Sequence, residues 1–181
     1  MPNMFLNSPL VKVSVRYGAV AGLLCMGFVI SMFYFGKHPF LMNPMLDFRV
    51  PVFALMIFFS LKEVRDYYQG GILNFWQGMI GSFVFTFTLA CLCGLTLMIF
   101  SAWEPDFVTT FISSALEQVK AFPPEEVERV GRQTYEQGLA ELKKVDGYFM
   151  AKRYFFQSFI ISFFISAIIS VILRRQPQTP Q

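Results

Sequence analysis

The chain has 181 residues, of which 55% are hydrophobic, 18% aromatic and only 15% charged. A soluble domain carries about a quarter charged residues, and 23 Phe cannot be hidden in one soluble core of this length; composition therefore excludes an ordinary soluble domain and points to an integral membrane protein. The net charge is only +3 and most basic residues flank apolar runs, which is the pattern of topology signals and excludes a nucleic-acid footprint.

Met1 to Leu10 is polar and proline-bearing, and is expected to fray or lie at the interface. The first apolar run covers about 15–35. Lys12 and Arg16 resemble the basic region of a signal peptide, but the run is longer than a typical signal core and lacks a small-x-small cleavage site, so a retained transmembrane helix is expected. Ser14, Gly18 and Gly22 fall on one face of that helix. A turn-rich loop follows, with Gly36, Pro39, Asn43 and Pro44. It holds His38, the single histidine, which is expected to be an exposed interfacial residue because no Cys, Asp or Glu stands at metal-ligand spacing.

The second apolar run, Val50 to Leu61, is short for a span. It reaches spanning length over about 46–61 if Arg49 snorkels to the interface, with Pro51 tolerated in the first turn. A charged knot of Lys62, Glu63, Arg65 and Asp66 gives it a sharp polar end. After Tyr67, Tyr68 and the Gly70-Gly71 pair comes the third span, about 78–100, entered through Asn74, Trp76 and Gln77 at headgroup level. Small residues recur there at every fourth position, as Gly78, Ser82, Thr86, Ala90 and Gly94. Such a stripe lets a second helix approach closely and predicts a helix–helix seam. Cys25, Cys91 and Cys93 all lie in apolar runs and read as small hydrophobes, with no disulfide or metal site.

Residues 101–153 form the one sizeable hydrophilic segment. Trp103 marks the interface, and Glu104, Pro105 and Asp106 start a helix. Phe107, Phe111, Ala115, Val119 and Phe122 make that helix amphipathic, until Pro123-Pro124 breaks it. Glu125, Glu126 and Glu128 open a second helix with a weaker apolar face at Val127, Val130, Thr134 and Leu142. The expected result is an extramembrane helical hairpin, either a solvated connector or a partner-docking surface.

The fourth span covers about 154–173, with Ser158, Ser162, Ser166 and Ser170 at i, i+4 spacing. With no charge or broken helix obvious within it, the serines read as a packing stripe before they read as a permeation path. Arg174 and Arg175 stop transfer, and Gln176 to Gln181 reads as a disordered tail. The fold expected is all-α, a polytopic membrane protein of four transmembrane helices in one membrane domain over 1–181.

Four spans place both termini on one side, together with Lys12, Arg16, Lys62, Arg65, Arg174 and Arg175. Basic residues mark the cytoplasmic side, so the termini are expected there and residues 101–153 outside. Lys143, Lys144, Lys152 and Arg153 argue the other way.

The charged knot after the second span, the run Gly70-Gly71-Ile72-Leu73-Asn74-Phe75-Trp76-Gln77-Gly78 and the Glu104-Pro105-Asp106-Phe107 exit from the third span resemble the bacterial membrane family known as domain of unknown function 4199. The resemblance covers nearly the whole chain. It implies four inner-membrane helices with an extracytoplasmic segment between the third and fourth, and it carries no activity and no catalytic residues.

Three functions fit these residues. The first is an accessory or scaffold subunit of the bacterial inner membrane, embedded in the lipid bilayer and packing through its small-residue faces against other membrane proteins or itself. The second is a transporter or channel subunit working as an oligomer, its path lined by the serines with Thr86, Thr88 and Thr96. The third is a membrane enzyme acting on lipid or a lipid-linked sugar, with polar groups at Glu63, Arg65, Asp66, Asn74 and Gln77, or at His38, Asp47, Glu104 and Asp106. No phosphate loop, nucleophile elbow or metal motif supports the third reading, and no cofactor is expected. The accessory subunit is preferred.

Overall fold

In a computed structural model, which describes residues 8–42 and 47–175, every element of more than three residues is helical. The order is α1 (Pro9–Tyr34), a 3₁₀ turn (Pro39–Leu41), α2 (Arg49–Glu63), a π turn (Val64–Tyr68), α3 (Phe75–Trp103), α4 (Pro105–Lys120), α5 (Pro124–Val130), α6 (Arg132–Leu142) and α7 (Gly147–Leu173). The expected frayed start at residues 1–7, the first residues of the second span at 45–46 and the tail at 176–181 lie outside the described residues.

Local chemistry sets the helix ends. The Ser8 hydroxyl accepts from the Val11 amide to cap α1, followed by Pro9 in the first turn. Gln77 reaches back to the Asn74 amide at 3.0 Å, one arm of a capping box at the start of α3. Asp146 accepts from the Phe149 amide at 2.7 Å to start α7. The Gly70-Gly71 pair, both at positive φ, turns the chain into α3.

Three helices, α1, α3 and α7, are long and apolar enough to cross a membrane. At 26, 29 and 27 residues each exceeds the roughly 20 residues that a bilayer core requires. The expectation of four such spans is corrected here, because α2 has 15 residues and extends only about 22 Å. Its start is fixed by Asp47, whose Oδ1 accepts from the Arg49 amide at 3.0 Å. Its far end passes into the π turn and the Gly-Gly pair.

The helix α3 packs most extensively on α7 and α1, while α2 lies against α1 and α7. The small-residue stripes form these contacts. A Cβ on Gly18 would stand 2.6 Å from the Phe85 carbonyl oxygen, one on Gly22 would stand 2.8 Å from Leu92, and one on Gly78 would stand 2.5 Å from the Ser170 hydroxyl. Ser82, Ser158, Ser162, Ser166 and Ser170 are all buried. Thr86 and Ser162 share a hydrogen bond across the α3–α7 seam, and Ser158 donates to the Tyr154 carbonyl of its own helix. Thr88 and Thr96 donate to carbonyls one turn back. Gly94 is the exception, since a Cβ there would meet nothing within 4 Å.

Antiparallel pairing of Leu73 with Arg175 ties the entry of α3 to the exit of α7. Arg16 pairs with Glu63 at 2.6 Å, so the start of α1 and the end of α2 meet as well. Beyond the exit of α3, the segment that reads as a two-armed hairpin divides its second arm, with α5 and α6 separated by Gly131 at φ +89°. The α4 arm buries Phe107, Phe111 and Ala115. That face turns onto the protein's own α1–α2 loop.

Candidate functional site

The short stretch Asp47-Phe48-Arg49 builds the most unusual feature of the molecule. The Arg49 side chain was expected to snorkel, but it is 8% exposed and Asp47 is 11% exposed. Arg49 Nε donates to both Asp47 carboxylate oxygens at 2.8 and 3.0 Å, and Nη2 donates to Oδ2 at 2.5 Å. Snorkelling fails because α2 begins beneath an aromatic cover and not at a free helix end. Phe48 stacks on Phe28 with ring centroids 4.2 Å apart, and Phe40 from the 3₁₀ turn lies 6.1 Å from Tyr154. The guanidinium itself sits 4.6 Å over the Tyr154 ring. Tyr154 stands about 10 Å along α7 from its start at Gly147 and directly follows the exposed Lys152 and Arg153, so the buried charge lies where the apolar run of α7 begins.

Two polar atoms of this cluster, Arg49 Nη1 and the Tyr154 hydroxyl, are buried without a hydrogen-bond partner among the described residues. Each such group costs about 1–3 kcal/mol. Beside them is a cavity of about 60 Å³ whose polar lining is Asp47, Arg49, Arg153, Tyr154 and Gln157. The exposed Arg153 marks its mouth. One carboxylate and two guanidiniums leave the lining net cationic. Donors outnumber acceptors, so the arrangement is suited to an anion. Among the described residues no group of His, Cys, Asp or Glu is placed to hold a metal ion.

His38 is also corrected, from exposed to buried. Its Nε2 lies 3.0 Å from the Phe107 carbonyl and its Nδ1 accepts from the Phe40 amide at 3.3 Å, so the ring is neutral with the proton on Nε2. The rings of Phe33, Phe40, Phe107 and Phe111 surround it. It thereby latches α4 to the loop that carries the ion pair. Burial pushes its pKa down, against the opposing effect of the Phe107 carbonyl. The unfolded chain then takes up a proton first as pH falls below about 6.5, and stability declines from there down through the folded-state value. Unfolding midpoints measured between pH 7.5 and 5 are expected to fall, with His38→Gln flattening the decline; an unchanged slope in that variant would assign the acid sensitivity elsewhere.

The remaining expected polar groups separate. At the end of the bundle away from Asp47, Glu63 accepts from Arg16 and, at 3.0 Å, from the Tyr17 hydroxyl. Arg65 pairs with its neighbour Asp66 at 2.6 Å, which holds that exposed carboxyl below the ordinary Asp range. Asn74 and Gln77 cap α3. These are three local pairings, not one converging site. Nearer the candidate cavity, Glu104 accepts from Tyr34 at 3.5 Å, and Asp106 sits in the first turn of α4. Cys25 and Cys93 are buried free thiols, and Cys91 is half-buried.

Sequence reasoning missed Arg49, Arg153, Tyr154 and Gln157 as partners. The available signal was weak: an acid two residues before an arginine at a span start, and Tyr154 and Gln157 one turn apart on a helix. Both patterns also describe an ordinary span boundary.

No curated protein and no solved structure matches the chain. The family described as Protein of unknown function (DUF4199) matches residues 16–175, most of the sequence and every helix of the bundle. The chain belongs to that family.

Proposed function

We propose that the protein is a small multi-pass membrane protein, crossing the bilayer by α1, α3 and α7 with the shorter α2 returning the chain between the same two ends of the bundle, and that it binds an anion at the Asp47–Arg49 cavity as a binding or transport component. The observation that carries this reading is the buried guanidinium with a spare donor beside a polar cavity. Ionisable groups inside a membrane bundle are expensive and mark binding or translocation sites. The ion pair engages both oxygens of Asp47, which favours binding over a general-base role. Gathering of Arg16, Lys62, Arg65 and Arg175 at one end of the bundle supports a bacterial inner-membrane orientation with that end cytoplasmic and α4–α6 outside.

The test is thermal unfolding of the full chain in nanodiscs against chloride, acetate, sulfate and phosphate at matched ionic strength. At least one anion should stabilise saturably, reaching about 2.7 kcal/mol at a hundred times its dissociation constant. Absence of any anion-specific shift would sink the reading.

A second reading, the accessory subunit, is favoured by one specific observation. Most small residues of the stripes are consumed inside the chain, but Gly94 continues the α3 seam into an open apolar groove of about 490 Å³ between α3 and α7. A helix from another membrane protein is the occupant that this continuity favours.

A further inference from the structure

We infer that the cavity beside Arg49 is a site for a phosphoryl oxyanion, gripped between Arg49 of α2 and Arg153 of α7. The inference rests on the anion-binding reading above and names the class of anion. The argument is one of donor geometry. Arg49 already has a planar partner, because Asp47 takes its Nε and Nη2 face and leaves Nη1. The remaining donors come from different elements and directions: Arg49 from the start of α2, and Arg153 and the Gln157 amide from α7; the Tyr154 hydroxyl is turned toward the Cys25 and Cys93 thiols. A tetrahedral group with three acceptor oxygens can use donors spread in this way, whereas a planar carboxylate prefers one parallel fork. Arg153 forms no ion pair among the described residues and is free to close on the ligand.

Size sets a second condition. About 60 Å³ is several times the ~10–15 Å³ that one water requires. That admits one phosphoryl group and leaves any attached glycerol, sugar or acyl chain outside the mouth at Arg153. A ligand there would give the unpartnered Arg49 Nη1 an acceptor and remove its desolvation penalty. The phosphoryl group has two possible sources, a lipid headgroup and a soluble phosphate.

The experiment uses the full chain and two probes. In dodecyl maltoside micelles, which carry no phosphate, inorganic phosphate is titrated against acetate and chloride. In parallel, the protein is reconstituted with and without phosphatidylglycerol. The variant is Arg153→Gln, chosen because this side chain is exposed and its loss leaves the Asp47–Arg49 pair in place. Phosphate stabilisation with at least tenfold weaker affinity in Arg153→Gln supports a soluble source. Stabilisation by phosphatidylglycerol that Arg153→Gln abolishes, with inorganic phosphate inert, supports a headgroup. Acetate binding as well as phosphate overturns the phosphoryl assignment while leaving the anion-binding reading intact. Unaltered phosphate or phosphatidylglycerol stabilisation in Arg153→Gln overturns the placement, and no response to either probe overturns the inference.

Discussion

Asp47→Asn is expected to destabilise the protein by about 3–5 kcal/mol, because it strips a buried arginine of its counter-charge while keeping the shape of the side chain. Both partners are almost wholly enclosed, at 8% and 11% side-chain exposure, so water entering by the cavity replaces the lost carboxylate only in part. The same change weakens the start of α2, where Asp47 accepts from the Arg49 amide. The corresponding double variant, Asp47→Asn with Arg49→Met, should recover much of the loss, since an apolar replacement removes the uncompensated charge along with its partner. Thermal unfolding in nanodiscs and the folded fraction on size-exclusion chromatography measure both. Wild-type stability in the single variant would mean that the pair is solvated. Recovery of stability without recovery of anion binding in the double variant would separate the ion pair's structural part from its binding part.

The second large effect comes from adding one methyl group. In Gly18→Ala the new Cβ would lie 2.6 Å from the Phe85 carbonyl oxygen. The opposing atom belongs to the α3 backbone and cannot rotate away, so the two helices must separate. Overpacking of this kind costs about 1–3 kcal/mol. The identical substitution at Gly94 meets nothing within 4 Å, and Ala is a better helix former than Gly by about 0.8–1 kcal/mol. Gly94→Ala should therefore be neutral or mildly stabilising. Opposite signs for one chemical change on two stripes test the packing directly. Destabilisation by both variants, or by neither, would show that the stripes do not pack as described. Gly94→Leu extends the comparison. It should leave the isolated fold intact, and under the accessory-subunit reading it should also remove a co-purifying membrane protein.

Much of the bundle can be read from the chain because membrane helices are coded locally. The charge-free run after Gly78 needs no tertiary information to be assigned as a helix, since unsatisfied backbone groups are intolerable in lipid. The i, i+4 spacing of Gly78, Ser82 and Thr86, and of the four serines, places them on one face for the same reason. Which face meets which helix is a different matter. Sixteen residues at 3.6 per turn rotate Gly94 by about 160° from Gly78, so a repeat of every fourth residue winds off the seam. Gly78 seats Ser170 and Gly94 faces an open groove.

The candidate site was the less legible part. Asp47 and Arg49 look like flanking charges of an apolar run, and such charges ordinarily seek water. Their burial depends on Phe40 and Tyr154, which come from the 3₁₀ turn and α7. His38 likewise becomes a latch only because Phe107 and Phe111 fold back over it. The sequence by itself determined the all-helical class, the apolar character of three helices long enough to cross a membrane and the small-residue faces, because these follow from composition and from periodicity within single segments. Only the tertiary structure decided that the second apolar run forms a helix of 15 residues between the two ends of the bundle, that an arginine is buried and that its spare donor borders a polar cavity. Burial of a charge depends on residues distant in the chain, and no local pattern encodes which of them will arrive.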